Sequence, residues 1–213
     1  CEEPVRVSVG FLADSRTAAP LAGLYSAGEC SSVGIHGANR LGSNSLTELL
    51  VFGKVAGVEA ARHAFASPPG RADALRALAQ RSCERARSIV LREGRGERIA
   101  TLRREMAQTM EDGCGIYRTA QAMQATCDKL AELKDRCARV RLDDHSRGWN
   151  TEWLLALELD YQLDVARAMA HSALERRESR GSHQRLDGYT DRDDARWLRH
   201  SLAFYRADDS APR

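Results

Sequence analysis

The sequence predicts a mainly α protein, and three observations support this fold class. Beyond a turn-forming SPPG segment at residues 67–70, apolar residues recur at steps of three and four, the period of an amphipathic helix. The alternating apolar pattern of a strand is confined to residues 5–11 near the start of the chain. The 213 residues are 43% hydrophobic and 29% charged, which suits a soluble protein with one or two buried cores.

The first third of the chain mixes short strands with one helix. A strand is predicted at residues 5–11, followed by a turn near Pro20 and a second short strand at residues 23–27. Leu46, Leu49 and Leu50 then begin a helical pattern that runs from about residue 44 to residue 61. Asn44 or Ser45 can cap the start of this helix.

Three further helical faces follow the linker. They comprise Leu75, Leu78 and Ile89; Ile99, Leu102, Met106 and Met110; and Met123, Thr126, Leu130, Leu133, Cys137 and Val140. The third face steps by three and four without a break, which is typical of a helix packed along its neighbours. Three helices with short connections favour a bundle. Another helix, capped by Asn150 or Thr151, is predicted to reach about residue 177, where a SRGSH segment ends it.

Charge and cysteine usage exclude several classes of protein. The formal net charge is only +2, so nucleic acid is not an expected partner. Apolar runs stay well short of the roughly 20 residues of a membrane helix. The six cysteines contain no CxxC pair, and no metal site is predicted. They are expected to be reduced thiols, with Cys127 and Cys137 as small core residues.

The most informative stretch is residues 23–53, GLYSAGECSSVGIHGANRLGSNSLTELLVFG. It combines repeated glycines, an isolated Glu29, a lone basic Arg40 among small residues, and the start of a helix. Glycine serves where the backbone turns tightly or approaches a ligand closely. A helix start offers free N–H groups and a positive dipole end to an anionic or electron-rich group. Together these features predict a loop wrapped around a ligand.

The same stretch closely resembles the flavoprotein subunit of fumarate reductase and succinate dehydrogenase. MEDGCGIYRT at residues 110–119 and AMAHSALERRESRGSHQRLDGYTDRDDARWLRHSLAFYR at residues 168–206 resemble later segments of that subunit, in the same order. The resemblance covers nearly everything from Leu21 onward. Its motifs are specific because they are long and irregular.

The resemblance implies the domain organisation. Residues 1–66 would be the C-terminal end of an α/β FAD-binding domain, residues 71–148 a helical bundle, and residues 149–213 a helical region with a C-terminal extension. The chain starts at Cys1 and has no GxGxxG fingerprint, so it is interpreted as the C-terminal part of a longer protein. A His-Tyr-Thr-Met-Gly-Gly block of the family, whose histidine helps to hold a substrate carboxylate, is missing between residues 6 and 21.

The resemblance also implies roles for four residues. Arg40 would clamp one carboxylate of a C4 dicarboxylate, because a guanidinium presents a planar fork of donors; the alternative is a surface arginine bonded to loop carbonyls. Glu29 would accept a hydrogen bond from an FAD hydroxyl, or be an N-cap or surface charge. Ser45 and Leu46 would direct backbone N–H groups at the flavin. No catalytic residue and no metal ligand is assigned.

Other polar residues are interpreted more simply. His36 is expected to bond within its loop instead of donating a proton, and Cys30 to be inert. Arg180 and His183, in the SRGSH segment, resemble a family segment that packs back toward the catalytic core and are expected to have a structural role.

By resemblance, the intact enzyme interconverts fumarate and succinate with FAD as cofactor. Its electrons come from an iron–sulfur subunit, and membrane anchor subunits are indirect partners. The expected location is cytoplasmic, at the inner face of a bacterial inner membrane through those partners. GCGIYRT and RLDGYTDRDD favour fumarate reductase over succinate dehydrogenase. Two alternatives stay open, a soluble flavoenzyme similar to L-aspartate oxidase and a non-catalytic helical fragment.

Overall fold

The computed structural model describes residues 7–8, 10–12, 22–92 and 96–203. In chain order, the elements are β1 (Val7–Ser8), β2 (Gly10–Leu12), β3 (Ser31–Ser32), α1 (Asn44–Ala66), α2 (Ala72–Val90), β4 (Glu97–Arg98), α3 (Ile99–Cys114), β5 (Tyr117–Arg118), α4 (Ala120–Cys137), β6 (Val140–Arg141), α5 (Thr151–Glu175), β7 (Gln184–Arg185) and α6 (Asp194–Trp197). The chain is mainly helical, so the predicted fold class is confirmed.

The chain forms two compact units. The first comprises residues 1–68, 116–119 and 171–213, and the second comprises residues 69–115 and 120–170. The domain boundaries at residues 66, 71, 148 and 149 remain a prediction.

The first unit contains five of the short strands, β1, β2, β3, β5 and β7, together with α1, whereas β4 and β6 pair in the second unit. The strand order is β1-β2-β3, with β1 and β2 antiparallel and β2 and β3 parallel. A second small ladder pairs β5 with β7 in parallel. Helix α1 has 23 residues and buries none of them, although Leu46, Leu50, Val51, Val58 and Phe65 are large and apolar.

The second unit has a well-packed helical core. Its fully buried side chains come from α3, α4, α5 and the segment after β6: Ile99, Leu102, Met123, Leu130, Leu133, Leu142, Leu159 and Leu163. Three of them, Met123, Leu130 and Leu133, lie on α4 and belong to the apolar face that the three-and-four spacing predicts. Cys127 and Cys137 are also buried in this core, as predicted.

Helices α3 and α4 approach each other most closely near Gly113. A Cβ at Gly113 would lie 1.9 Å from Oγ1 of Thr126, a hydroxyl that donates to the carbonyl of Thr109 at 3.2 Å. No side chain fits there unless α4 moves, so this glycine serves close helix packing.

Three local predictions need correction. Helix α1 begins at Asn44, and the residue before it, Ser43, has φ of 66° and makes no side-chain cap, so the predicted cap from Asn44 or Ser45 is wrong. The reason is a tight turn in which the Asn44 N–H donates to Leu41 O at 3.4 Å. Residues 23–27 form no strand and have a single bridge position at Tyr25.

The third correction concerns α2. The predicted apolar face of α2, which carries Leu75 and Leu78, is largely solvent-exposed. In the whole of helix α2 the one buried residue is Val90. By contrast, the predicted cap of α5 is confirmed, because Oδ1 of Asn150 accepts from the N–H of Trp153 at 2.7 Å.

Within the ranges described above, no helix is both long and apolar enough to cross a membrane.

Limited proteolysis should separate the two units. We expect the first cuts in the glycine-rich loop before α1 and at Pro68–Pro69, because both segments are exposed and lie outside helices. A fragment that starts at about residue 71 and contains the second unit should persist, because the apolar residues of that unit bury one another. Mass spectrometry of early digestion products checks this. Loss of the second unit as fast as the loop would contradict it.

Candidate functional site

The four residues predicted to contact ligand all lie in the first unit. Glu29 and Arg40 are exposed on the segment that leads from β3 and its preceding turn into α1, and Ser45 and Leu46 lie in the first turn of that helix. Because the segment and the helix start are contiguous, these side chains and N–H groups are offered by one loop-to-helix element. The ligand-binding roles remain predictions.

Glu29 is placed beside α1 by the glycine that precedes it. Gly28 has φ of 87°, and a Cβ there would lie 2.1 Å from Cδ2 of Leu49. Only glycine combines this left-handed conformation with so close an approach. Leu49 lies one turn beyond Ser45, so the backbone next to Glu29 runs close to the start of the helix.

The start of α1 has backbone N–H groups of two kinds. The N–H of Leu46 donates to the carbonyl of Ser43 at 3.1 Å. The N–H of Ser45 has no backbone acceptor among the described residues. It is therefore the better placed of the two to donate to an electron-rich group, at the end of the helix where the macrodipole favours negative charge.

Arg40 is exposed, and no hydrogen bond or ion pair to its guanidinium is found within the ranges that the structure describes. The alternative interpretation, an arginine bonded to loop carbonyls, therefore has no support in those ranges. A guanidinium that is not engaged by its own chain keeps its donors available for a carboxylate ligand.

Within the first unit, the loop that carries Arg40, residues 33–43, makes one side-chain pair and comes close to two further residues. The Nε2 atom of His36 pairs with Oε2 of Glu48 on α1, which agrees with the predicted loop-bonding role of this histidine. A Cβ at Gly34 would lie 3.5 Å from the ring of His200. A Cβ at Gly181 would lie 3.0 Å from both Cβ and O of Ala38.

The segment just before Gly181 contains a buried carboxylate, that of Glu178. Glu178 is 1% exposed. Its Oε1 accepts from Nε of Arg176 at 3.0 Å and from Nε of Arg180 at 2.7 Å, and its Oε2 accepts from the N–H of Asp193 at 2.9 Å. Burial raises the pKa of Glu178, but the bonds from Arg180, Asp193 and Arg176 together outweigh it and lower the pKa to about 2. The carboxylate is thus charged and fully engaged.

His183 closes the same turn. Its N–H donates to the carbonyl of Arg180 at 3.1 Å and its carbonyl accepts from the Arg180 N–H at 2.8 Å. The ring pairs with Arg118 Nη1 through Nδ1 at 2.8 Å and with the carbonyl of Arg176 through Nε2 at 3.0 Å. Burial is the main cause that lowers the pKa of His183. These bonds support the structural role predicted for Arg180 and His183.

Three of the described cysteines can be compared by exposure and pKa. Cys30 is exposed, and its Sγ lies 3.6 Å from the carbonyl of Ala27. Burial raises the pKa of Cys127 to about 11 and also raises that of Cys137, so both thiols stay protonated at neutral pH. Among the described residues, no group of three or more His, Cys, Asp and Glu side chains is arranged to hold a metal ion.

Comparison with known proteins gives two family matches in separate parts of the chain. Residues 103–213 match the family model described as the fumarate reductase flavoprotein C-terminal region, and residues 5–46 match an FAD binding domain. The first match covers more than half of the chain. The chain therefore belongs to the fumarate reductase flavoprotein family, as the sequence motifs indicated.

Individual relatives agree with this assignment. A fumarate reductase flavoprotein subunit of a Serratia species is 53% identical over 96% of this chain and 34% of its own length. A structure of E. coli quinol fumarate reductase is 51% identical over 96% of this chain and 35% of that chain, with a TM-score of 0.89. The Mycobacterium smegmatis Sdh1 complex in the apo form is 37% identical, covers 96% of this chain and 34% of that chain, and has a TM-score of 0.82.

Two consequences follow from the matches. The chain spans about a third of the length of the relatives it matches. The predicted cofactor, FAD, is supported by the FAD-binding match and by the flavoprotein relatives.

Sequence reasoning did not single out the contacts that brace the Arg40 loop. Gly181, Ala38 and His200 carry no motif that reports their proximity, because they are brought together only by the fold. The SRGSH motif pointed to the right segment, but not to the buried partner Glu178 or to the contact with Ala38.

Proposed function

We propose that this chain is the C-terminal part of an FAD-dependent oxidoreductase subunit that interconverts fumarate and succinate. The observation that carries the proposal is Arg40, an exposed arginine without a partner in the described ranges, on a braced loop that leads into the first turn of α1. The relatives named fumarate reductase flavoprotein subunit support the choice of reaction.

The residues present fit a flavin. The free N–H of Ser45 lies at the positive end of a 23-residue helix, where negative charge building on a reduced ring is stabilised. Glu29, exposed next to the tight approach at Gly28, can accept a hydrogen bond from a ligand hydroxyl. The Leu46 N–H, which already donates to Ser43, would contribute less unless that bond is exchanged. FAD, when bound, would supply the hydride that fumarate accepts, or accept the hydride that succinate releases.

Arg40 would bind and orient the substrate. Its two terminal nitrogens can donate in parallel to one carboxylate of a C4 dicarboxylate, which fixes both the position and the rotation of the ligand. Fixing the reacting carbon within near-attack distance of the flavin converts a bimolecular encounter into an oriented one. The chain therefore contributes substrate positioning and flavin contacts, and no proton donor is assigned to it.

The proposed partners are an iron–sulfur subunit, which would deliver electrons, and membrane anchor subunits, which would act indirectly. Matches to a quinol–fumarate reductase structure with menaquinol and to an Sdh1 complex support an assembly of this kind. We propose a peripheral position at the cytoplasmic face of a bacterial inner membrane, held there by the partners.

A chimera tests the proposed function. It joins this chain to the N-terminal two thirds of the 53% identical Serratia subunit, with the missing histidine block restored. We expect it to bind FAD and to oxidise reduced viologen dye only when fumarate is added. Oxygen-dependent oxidation of L-aspartate without fumarate reduction would favour the L-aspartate oxidase alternative. A chimera that binds FAD and turns over neither substrate would overturn the assignment.

The chain by itself should not retain FAD. Glu29 and the first turn of α1 supply only part of the contacts of a dinucleotide, and binding must also order the loop that holds them. Purified protein should be colourless after desalting, as measured by its visible absorbance spectrum. Stoichiometric flavin absorbance in the desalted chain would contradict this prediction.

A further inference from the structure

We propose that Gly181 is a positioning residue for Arg40, acting through the backbone of Ala38. This inference rests on the proposed role of Arg40 as the substrate-carboxylate clamp. The turn at residues 180–183 would press against the Arg40 loop at one point and set how far Arg40 stands from its ligand. Nothing in the local sequence around Arg40 reports this support.

The contact is tight enough to depend on glycine. A Cβ at Gly181 would lie 3.0 Å from Cβ of Ala38, 3.0 Å from its carbonyl oxygen and 3.1 Å from its carbonyl carbon. Two of these three atoms belong to the backbone, so a larger side chain could not be accommodated by rotating a flexible neighbour. Gly181 also has φ of 58°, a left-handed conformation that other residues adopt at a cost.

The turn at residues 180–183, which contains Gly181, is held by several hydrogen bonds. Arg180 and His183 exchange backbone hydrogen bonds of 2.8 and 3.1 Å across it. The Arg180 side chain is anchored to the buried Glu178 and also donates to Oδ1 of Asp194 at 2.6 Å. Because moving this turn would break these hydrogen bonds, we expect a steric push at Gly181 to displace the exposed Arg40 loop instead.

The loop has few other ways to absorb such a push. Its neighbouring braces are at Gly34, against His200, and at His36, paired with Glu48. Gly34, His36 and Ala38 are alternate residues of the segment that leads to Arg40, so these contacts are spread along it. A displacement at Ala38 is therefore carried forward. The shift that a Cβ at Gly181 requires is a few tenths of an ångström, and since a misplacement of about 1 Å at a substrate-binding group can cost about 100-fold in rate, a shift of this size should cost roughly 3- to 10-fold.

The first test compares two glycines in the flavin-loaded chimera. Gly181→Ala should raise the KM for fumarate and lower kcat/KM by about 3- to 10-fold at unchanged flavin content. Gly188→Ala is the matched control, because Gly188 also has positive φ, 94°, but a Cβ there would meet nothing within 4 Å. Equal kinetic effects of the two substitutions, or no kinetic effect of Gly181→Ala, would overturn the proposal.

A second variant protects the test against misfolding of Gly181→Ala. Ala38→Val enlarges the same contact from the loop side, at a residue whose φ is not positive. It should reproduce the rise in KM without loss of flavin. Parental kinetics in Ala38→Val would overturn the proposal even if Gly181→Ala fails to accumulate.

A readout without activity uses the chain itself. The double substitution Ala38→Cys with Gly181→Cys should form a disulfide on mild oxidation, because the two Cβ positions would lie 3.0 Å apart and the exposed loop need move away by only about 0.5 Å to reach the Cβ separation of a disulfide. Peptide mapping identifies the bond, and Ala38→Cys with Gly188→Cys is the control pair. Absence of the bond in the first pair would overturn the contact.

The outcomes separate this inference from the proposed function. If the parental chimera does not reduce fumarate, the proposed function fails. If it does and Arg40→Lys keeps parental turnover, the clamp role of Arg40 fails and the positioning role of Gly181 fails with it. If Arg40→Lys loses turnover while Gly181→Ala and Ala38→Val keep parental KM values, the clamp stands and the positioning role of Gly181 fails.

Discussion

Arg40→Lys is expected to remove most fumarate turnover from the flavin-loaded chimera while leaving its flavin content nearly unchanged. Lysine keeps the positive charge but loses the two-pronged geometry that fixes the substrate over the flavin. Loss of one strong charge-assisted pair in the transition state costs roughly 2–4 kcal/mol, or on the order of a 30- to 1,000-fold drop in rate. Steady-state kinetics with fumarate, together with the flavin-to-protein ratio, measure this.

Ser45→Ala is the control for Arg40→Lys. It lies in the same loop-to-helix element, but the hydrogen bond proposed there comes from the backbone, which alanine retains. Its turnover should stay within a few-fold of the parent. Arg40→Lys with nearly parental turnover, or with loss of flavin instead of turnover, would show that Arg40 is not the carboxylate clamp.

Leu130→Ala should be the most damaging simple truncation in the second unit. Leu130 is completely buried on α4, and removing its isobutyl group leaves a cavity that the neighbouring helices fill only in part. We expect the free energy of unfolding to fall by about 2–5 kcal/mol. Urea unfolding of the isolated chain, followed by helical circular dichroism, measures this change.

Leu78→Ala provides a matched control for Leu130→Ala. It makes the same truncation on α2 of the same unit, but Leu78 is 53% exposed. The expected loss is under about 1 kcal/mol, because little apolar surface returns to water. Comparable losses in the free energy of unfolding at the two positions would mean that α2 is part of the core, which would contradict the exposure of Leu78.

The same pair of leucines illustrates how far the pattern of the sequence could predict the fold. Spacing by three and four predicts a helix at both α2 and α4, and both helices form. Spacing does not say which apolar face finds a partner. The face of α4 is buried, and α4 packs against α3, whereas Leu75 and Leu78 of α2 stay exposed. Periodicity is a property of one helix, but burial is a property of several.

The start of α1 shows a different limit. The sequence correctly placed a helix from Asn44, but Asn44 and Ser45 were predicted as caps and lie inside the helix. The preceding turn, with Ser43 at positive φ, fixes where the helix begins. Such a conformation for serine is uncommon and is not predicted from residue preferences. Its consequence for the proposed function is that the Ser45 N–H, which has no backbone acceptor among the described residues, is the group available at the helix start.

The sequence by itself determined the family, the mainly α fold, the core of α4 and the loop that carries Glu29 and Arg40, because these depend on local motifs and on the period of a single helix. Only the tertiary structure decided that Ala38 rests on Gly181, that Glu178 is buried between two arginines, and that α1 buries no residue. The physical reason is sequence separation. Ala38 and Gly181 are far apart along the chain, and their contact arises only when the chain folds back on itself.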